Sequence, residues 1–281
     1  MLMEPSLAPT PVRPLLRAHA PALELREVGL TAVAGLESYS PFGLKIRRAL
    51  GAAGLPFTVR SRPFSVLSAP DEVPSLSVEG EEVTDSTRVL AHLERLAPGT
   101  LLPRGPSLRA EAWLWEDWAD RVLSTFVRAS RWADARNWPS FHAAMFGRSS
   151  WLVRTMLAPR WRRQVVAELH AAETSESSFL DDFRRTIDIL EARAPERGFW
   201  ITEDRPTVAD VAIFAQLHSL RNHLTRAQAH ELACRPALTD WLDRVDAATA
   251  SREPPRPLVR LGSGHALVKK SVVLAAAVVC G

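Results

Sequence analysis

A serine directly before a proline begins an amphipathic segment near residue 40 of this chain. Ser40 is followed by Pro41 and by a run of apolar and basic residues that ends near Leu50. Serine is among the best N-cap residues and proline is favoured at the first helical position, so the Ser40 hydroxyl is expected at a helix N-terminus. Free backbone N–H groups at that end stabilise an anion such as a thiolate. The pattern therefore predicts a site that lowers the pKa of a bound thiol.

Two neighbouring hydroxyl groups compete with Ser40 for this role. Tyr39 is the only tyrosine of the chain, and Ser38 lies one residue before it. No cysteine occurs between Ser38 and Arg48, so a mixed-disulfide mechanism has no nucleophile in this stretch. We favour Ser40, and the alternative in which it serves only as a helix cap stays open.

The elements that would position this site alternate between strands and helices. Apolar patterns and turn residues predict, in chain order, strand Leu30–Leu36, helix Phe42–Ala53, strand Phe57–Arg62, short strands at Leu76–Val78 and Glu82–Val83, and helix Thr87–Leu96. Gly54 and Pro56 mark the end of the first helix. This β-α-β then β-β-α order is that of a thioredoxin-like domain, which we place at residues 25–97.

A second domain of different character follows a linker. Residues 98–107 are rich in proline and glycine, and all nine tryptophans lie at or beyond Trp113. Apolar residues at three- and four-residue spacing predict helices Leu108–Arg131, Trp151–His170, Phe179–Ala192, Val208–Leu220 and Pro236–Ala248, with a polar loop at Thr174–Ser178. The expected fold class is an α/β thioredoxin-like N-terminal domain plus an all-α C-terminal domain over residues 108–250.

Composition excludes several classes of function. The tail from Ser251 carries five Lys or Arg and one acid, so the rest of the chain is nearly neutral and no nucleic-acid partner is expected. Cys234 and Cys280 form neither a disulfide framework nor a metal-ligand pattern, and the histidines lack zinc spacing. We therefore expect no metal and a reducing, cytoplasmic setting.

Both ends of the chain fall outside the two predicted domains. Residues 1–24 contain several prolines and no continuous apolar core, which predicts a disordered arm rather than a secretory signal. The apolar run Val272–Val279 is shorter than the roughly 20 residues that span a bilayer, so no transmembrane segment is expected. The role of residues 251–281 stays open.

Taken together, the two domains and the Ser40 motif resemble the glutathione S-transferase superfamily, whose members join a thioredoxin-like domain to an all-helical one. The resemblance covers about Leu30–Ala248. Ser40-Pro41-Phe42 looks like the start of the serine-type classes, in which the serine hydroxyl donates a hydrogen bond to the glutathione sulfur. The resemblance implies that Ser40 is catalytic and that glutathione is the co-substrate.

Two further motifs carry the same resemblance and imply residues that bind glutathione. Val73-Pro74 is similar to the step before the third strand of the superfamily, where a cis proline lets the preceding backbone pair with the cysteinyl segment. Asp85-Ser86 is similar to the acidic-serine pair that binds the γ-glutamyl end, with Ser86 on the carboxylate and Asp85 facing the ammonium. Many members carry the longer Glu or Gln at the position of Asp85. An ordinary proline loop and a plain capping sequence are the alternative interpretations.

The remaining resemblance concerns the helical half. Thr207-Val208-Ala209-Asp210 matches the N-capping box of the superfamily's buried central helix, which is a structural feature. The resemblance implies that the helical domain holds a hydrophobic electrophile. The candidates for lining its pocket are the aromatic residues Tyr39, Phe42, Trp113 and Trp118.

The implied function is a cytoplasmic, homodimeric glutathione transferase that joins the glutathione thiolate to a hydrophobic electrophile. The segment Arg131–Phe141 is instead faintly similar to the metaxin-like and failed-axon-connections-like branch, whose members are often not shown to be catalysts. A non-catalytic binding or interaction module is therefore the alternative. A basic cluster could meet an anionic partner, although a solvated helix face is the favoured interpretation; its members are Arg154, Arg160, Arg162 and Arg163.

Overall fold

A four-stranded mixed sheet forms the first part of the molecule. The computed structural model describes residues 22–28, 33–62, 74–171 and 176–251. The strands are β1 (Leu23–Val28), β2 (Thr58–Arg62), β3 (Ser75–Val78) and β4 (Glu81–Thr84), in the order β2-β1-β3-β4. β1 pairs in parallel with β2, and β3 runs antiparallel to both β1 and β4. Glu79 and Gly80 join β3 to β4 with φ values of 52° and 95°, as expected for a tight hairpin turn.

The predicted strand Leu30–Leu36 is wrong over residues 33–36, while residues 30–32 lie outside the described part. The first strand is Leu23–Val28, whereas Val33–Leu36 forms a turn that is closed by a 3.1 Å bond from the Leu36 N–H to the Val33 carbonyl oxygen. Leu23, Leu25 and Glu27 share the buried face of β1. The buried charge of Glu27 interrupts the period-two apolar pattern, which explains why the apolar run farther along the chain gave the stronger signal. The disordered arm predicted for residues 1–24 is therefore wrong at Leu23 and Glu24, while residues 1–21 lie outside the described part.

Two helices flank this sheet, and their starts agree with the sequence signals. Helix α1 (Pro41–Ala52) begins after the N-cap Ser40, and α2 (Ser86–Leu96) begins after the N-cap Asp85. α1 stops before Gly54, which has a φ of 65° and thus a backbone conformation that favours glycine.

The second part is helical throughout. Its elements are α3 (Pro106–Trp118), a π-helical turn (Ala119–Leu123), α4 (Ser124–Arg128), a second π turn (Ala129–Ala133), α5 (Trp138–Phe146), a third π turn (Val153–Leu157), α6 (Ala158–Ala171), α7 (Glu176–Arg193), α8 (Val208–His218), a 3-10 turn (His223–Thr225), α9 (Arg226–Ala233) and α10 (Pro236–Thr249). Within the described residues, no helix has the length and apolar character needed to cross a membrane.

The helical predictions fail at three places. Helices α5 and α9 were not predicted, because α5 is apolar without a clear polar face and α9 has only 8 residues. The loop predicted at Thr174–Ser178 is wrong from Glu176 onward, since α7 begins there. Residues 172–175 lie outside the described part.

Helix α8 is the centre of the helical part. All residues from Val208 to Leu217 are buried, and α8 packs against α1, α3 and α10. The predicted capping box is confirmed: the Asp210 carboxylate accepts from the Thr207 N–H at 2.8 Å. The same carboxylate accepts from the Trp200 N–H at 2.6 Å and from the Trp241 indole at 3.2 Å. Asp210 therefore joins the start of α8 to two distant parts of the core.

Candidate functional site

The strand register brings three of the predicted motifs to one edge of the sheet. Arg26 near the end of β1 lies opposite Ser75 at the start of β3, and Ser75 lies opposite Thr84 at the end of β4. Pro74 immediately precedes β3, and Asp85 immediately follows β4. The chain that leaves β1 at this same edge leads to the N-terminus of α1. The Ser40, Pro74 and Asp85-Ser86 motifs therefore adjoin one end of the sheet.

Ser40 occupies the N-cap of α1 in an extended conformation, with φ −84° and ψ 123°. Its Oγ accepts from the Gly43 N–H at 3.3 Å, and its own N–H donates to Ser38 Oγ at 3.3 Å. Among the described residues, no acceptor takes the Ser40 hydroxyl proton. The Ser40 hydroxyl is thus held by the helix start, its proton has no acceptor among the described residues, and the residue is 7% exposed.

Gly43 allows the first turn of α1 to lie close to the end of β1. A Cβ atom at this position would lie 2.8 Å from Ser38 Oγ and 3.1 Å from Glu27 Oε2. The buried Glu27 carboxylate is held in turn by Arg47, with an Nη2–Oε1 distance of 2.5 Å and an Nε–Oε2 distance of 3.2 Å. A side chain at Gly43 would therefore disturb both the serine loop and a buried ion pair.

Tyr39 and Ser38, the two alternative hydroxyl residues, both make hydrogen bonds within the protein. The buried Tyr39 donates its phenolic proton to the Ala144 carbonyl oxygen at 2.7 Å, which ties the loop to α5. Ser38 is fully buried and accepts from the Ser40 N–H. Arg131 also holds this loop, because its guanidinium donates to the Tyr39 carbonyl oxygen. Of the three hydroxyl residues, Ser40 has the geometry best suited to a ligand thiol.

Asp85 and Ser86 form the start of α2. The Asp85 carboxylate accepts from the Arg88 N–H at 3.0 Å, so this exposed residue caps the helix. Its φ of 69° lies in the left-handed region, and such strain costs about 1–3 kcal/mol at a non-glycine residue and clusters at ligand sites. Ser86 is buried, and its hydroxyl makes no hydrogen bond to any other described residue. Pro74 is buried before β3, whereas Val73 lies outside the described residues.

A buried polar cluster that the sequence analysis did not predict joins the two helix starts. Lys45 of α1 is fully buried, and its Nζ lies 2.7 Å from Glu116 Oε1 and 2.5 Å from Asp120 Oδ2. The Thr87 hydroxyl of α2 donates to the same Glu116 oxygen at 2.7 Å. Glu116 and Asp120 stand four residues apart on the helix that begins at α3, which is the one sequence signal that could have indicated them.

Asp120 is the titratable member of this cluster. Burial and the nearby Glu116 carboxylate raise its pKa from 3.8 to about 6, although the Lys45 ammonium acts in the opposite direction. Desolvation is the largest cause. One cation therefore faces two carboxylates, and Asp120 is the one that takes up a proton under mildly acidic conditions.

His218 at the end of α8 holds the loop that precedes Ser40. Its Nε2 lies 2.9 Å from the Gly35 carbonyl oxygen, and because a carbonyl only accepts, Nε2 carries the proton. Its ring stacks on Phe214 with centroids 4.8 Å apart. Burial lowers the pKa of His218, which favours the neutral ring. The helical part thus positions the serine loop by contacts that no local motif reveals.

The aromatic residues predicted to line an electrophile pocket have different surroundings. Phe42 is buried, with Lys45 Nζ 5.6 Å from its ring centroid. Trp113 and Trp118 are half-buried, and Trp118 packs edge-on against Trp115 at 5.4 Å. Trp118 is therefore engaged in the aromatic core on at least one side. The pocket assignments of all four residues stay predictions.

A cavity of about 620 Å³ lies elsewhere, within the helical part. It is lined by residues of α4 and its flanking turns, of α7 and of α9, with Phe126, Phe179 and Gln228 among them. None of the predicted site residues lines it. Among the described residues, no group of three or more His, Cys, Asp or Glu side chains could hold a metal ion.

Comparison with known proteins gives a match to a family model over part of the chain and a set of solved structures with a similar fold. Residues 159–244 match a family model described as the glutathione S-transferase C-terminal domain. Protein LigF of Sphingobium sp. strain SYK-6 is 24% identical in an alignment over 214 residues, and the match covers 70% of this chain and 78% of LigF.

Solved structures agree with this match. The crystal structure of the beta-etherase LigF from the same strain superposes with a TM-score of 0.53 at 21% identity, covering 80% of this chain and 95% of LigF. The crystal structure of rice GST1 in complex with glutathione superposes with a TM-score of 0.53 at 21% identity. The match covers 82% of this chain and 88% of rice GST1. These likenesses confirm the predicted fold class, a thioredoxin-like domain followed by an all-helical one.

Proposed function

We propose that this chain is a glutathione-dependent transferase of the glutathione S-transferase superfamily, and that Ser40 activates the thiol of the bound glutathione. The observation that carries the proposal is the Ser40 hydroxyl itself. It is fixed at the N-cap of α1 by the Gly43 N–H, and no described residue accepts its proton. A thiolate placed beside it would receive that proton as a hydrogen bond.

The energy available from this arrangement matches the task. Ionising a thiol of pKa about 8.5 mostly at neutral pH requires a shift of roughly two units, or about 3 kcal/mol. One hydrogen bond to a charged acceptor contributes about 1.5–3 kcal/mol, and a helix N-terminus adds up to about 1 kcal/mol. The two contributions together are sufficient, so no second catalytic group is needed for thiolate formation.

The same edge of the sheet would bind the rest of glutathione. The free hydroxyl of Ser86 and the first N–H groups of α2 favour a carboxylate, and the exposed carboxylate of Asp85 favours an ammonium. The strained backbone of Asp85 supports a ligand-binding role for this position. Val73 and Pro74 would add backbone pairing to the cysteinyl segment at the start of β3.

The proposed reaction is attack of the thiolate on an electrophilic carbon of a hydrophobic substrate. A new C–S bond forms while the leaving group departs with the electron pair of the bond that breaks. We expect Tyr39, Phe42, Trp113 and Trp118 to lie toward that substrate. LigF is named a beta-etherase, so an aryl ether belongs beside an aryl halide in the panel of test substrates.

The remaining assignments extend this proposal. A homodimer would cover two exposed apolar side chains on α3, Leu108 and Leu114, which are 42% and 70% exposed. We propose a cytoplasmic setting, in which reduced glutathione is available. The second candidate function, a non-catalytic glutathione-binding module, predicts binding without turnover.

The proposal is tested by measuring conjugation of glutathione to an aryl halide and to a β-aryl ether. We expect Ser40→Ala to lower kcat/KM at least tenfold, because the hydrogen bond to the thiolate is lost. Thr125→Ala is the control, since it removes a hydroxyl that donates to the Arg121 carbonyl oxygen outside the serine loop, and it should keep at least half of the activity. If the protein is retained on glutathione resin but turns over neither substrate, the non-catalytic module is correct.

A further inference from the structure

A long stretch of the helical part contains no acidic residue. Between Asp134 and Glu168 lie 33 residues with six arginines and no aspartate, glutamate or lysine. Two of these arginines have structural partners. Arg136 pairs with Asp134 at 2.7 Å, and Arg162 donates to the Trp132 carbonyl oxygen at 2.8 Å. The other four arginines are exposed and form no side-chain hydrogen bond or ion pair with any described residue.

Large apolar side chains stand in the middle of these free arginines. Trp151, Leu152 and Met156 are 66%, 54% and 59% exposed, although side chains of this size are ordinarily buried. They lie on the two turns that precede α6, where Val153 and Leu157 between and after them are half-buried against the core. We call this surface the basic–apolar face, and its members are Arg148, Trp151, Leu152, Arg154, Met156, Arg160 and Arg163.

We propose that the basic–apolar face docks the protein onto the surface of an anionic lipid bilayer. A helix that combines exposed Trp and Leu with arginines is typical of segments that lie in the membrane interface. Tryptophan favours the headgroup level, and clustered arginines are attracted to anionic headgroups. The arginines would contact lipid phosphates while Trp151, Leu152 and Met156 enter the boundary with the acyl chains.

Charge argues against the simplest alternative occupant, a second copy of this chain. A two-fold interface brings the same surface patch of both subunits together. On this face it would place four unpaired arginines against the same four, and the nearest carboxylate along α6, Glu168, is held by Arg128 at 2.7 Å. An anionic partner removes this repulsion. A lipid surface also explains the three exposed apolar side chains, which an acidic peptide would leave without a function.

The test is binding of the full-length protein to vesicles. Phosphatidylcholine vesicles with and without about one third phosphatidylglycerol are sedimented with the protein, at low and at physiological salt. We expect binding to the anionic vesicles alone, weakening as salt rises. Arg154→Glu with Arg160→Glu should weaken binding at least tenfold, and Trp151→Ser with Met156→Ser at least threefold.

Control variants outside the basic–apolar face show whether vesicle binding depends on this surface or on the overall charge and hydrophobicity of the protein. Arg104→Glu with Arg109→Glu reverses two exposed, unpaired arginines outside the face, and Ile189→Ser removes a side chain that is 60% exposed. These controls should bind like the unchanged protein, and all variants should keep its circular dichroism melting curve. Brominated lipid should quench the fluorescence of the unchanged protein more than that of Trp151→Phe.

Three results would overturn the proposal. The first is absence of binding to anionic vesicles at low salt. The second is equal binding by the Arg154→Glu, Arg160→Glu variant and its control, which would assign the binding to another part of the chain. The third is a dimer that dissociates in Trp151→Ser with Met156→Ser while vesicle binding is absent, which would make the face a subunit contact.

Discussion

Asp210 of α8 and Asp120 after α3 are both largely buried, yet they differ in the number of hydrogen-bond donors and cations around each carboxylate. Asp210 accepts hydrogen bonds from the backbone of Thr207 and Trp200 and from the indole of Trp241. Asp120 shares one ammonium, that of Lys45, with a second carboxylate, and the Gln216 side chain is the other polar group beside it.

The difference separates a carboxylate held by several donors from one that shares a single cation. Burial raises the pKa of Asp210 as well, but the donors around it, two backbone N–H groups, a hydroxyl and an indole, cannot titrate and hold it in one arrangement. The Lys45 cluster has one positive charge for two carboxylates and connects the starts of α1 and α2, where we place thiol activation and glutathione binding. We therefore expect changes at Asp210 to affect stability alone, and changes in the cluster to affect stability with a dependence on pH.

The largest effect is expected at Asp210. Replacing it with Ala leaves four buried donors of Thr207, Trp200 and Trp241 without this acceptor, which should lower the free energy of unfolding by about 3–5 kcal/mol. Urea unfolding measures the change, and Asp240→Ala, at an exposed residue of α10, is the control with little effect. A loss below about 1 kcal/mol would contradict this structural role of Asp210.

A smaller loss of unfolding free energy is expected when Lys45 is replaced. Lys45→Met leaves two carboxylates without their cation, which should destabilise the protein by about 2–4 kcal/mol. Adding Glu116→Gln and Asp120→Asn to that variant removes the unpaired charge and should recover at least half of the loss. If the triple variant unfolds as readily as Lys45→Met, electrostatics is not the cause and the cluster acts by packing.

The smallest effect is a pH dependence caused by Asp120. Its pKa in the folded protein, about 6, is above the ordinary value of 3.8, so the folded state binds more protons than the unfolded state between those values. The free energy of unfolding should therefore fall as pH rises through this window, by about 1–3 kcal/mol in total. Asp120→Asn should lack this component. Urea unfolding of both proteins across the window measures it, and parallel curves would contradict it.

Sequence reasoning succeeded where the determining signals are local. The N-cap at Ser40, the hairpin at Glu79-Gly80 and the capping box of Asp210 each depend on residues within a few positions of one another. At Asp85 the structure shows the helix cap that the sequence analysis gave only as the alternative interpretation. Such signals specify helix starts and turns. They also identified the motifs that the strand register of the folded protein brings to one edge of the sheet.

It failed where distant residues decide the structure. The contacts of Lys45 with Glu116 and Asp120 span 71 and 75 positions, and no local pattern shows that these charges are buried together. The strand β1 escaped prediction because Glu27, a charged residue on its buried face, is paired with Arg47 twenty positions later. Tertiary pairing of charges therefore accounts for the main errors at the site.

The central claim is that Ser40 lowers the pKa of bound glutathione, and ultraviolet difference absorbance of the thiolate tests it most directly. The absorbance is titrated with pH for the unchanged protein, for Ser40→Ala and for Tyr39→Phe, each saturated with glutathione. We predict a thiol pKa roughly two units below that of free glutathione in the unchanged protein and in Tyr39→Phe, and a nearly free value in Ser40→Ala. An unshifted pKa in the unchanged protein, or an equal shift in Ser40→Ala, would contradict the account.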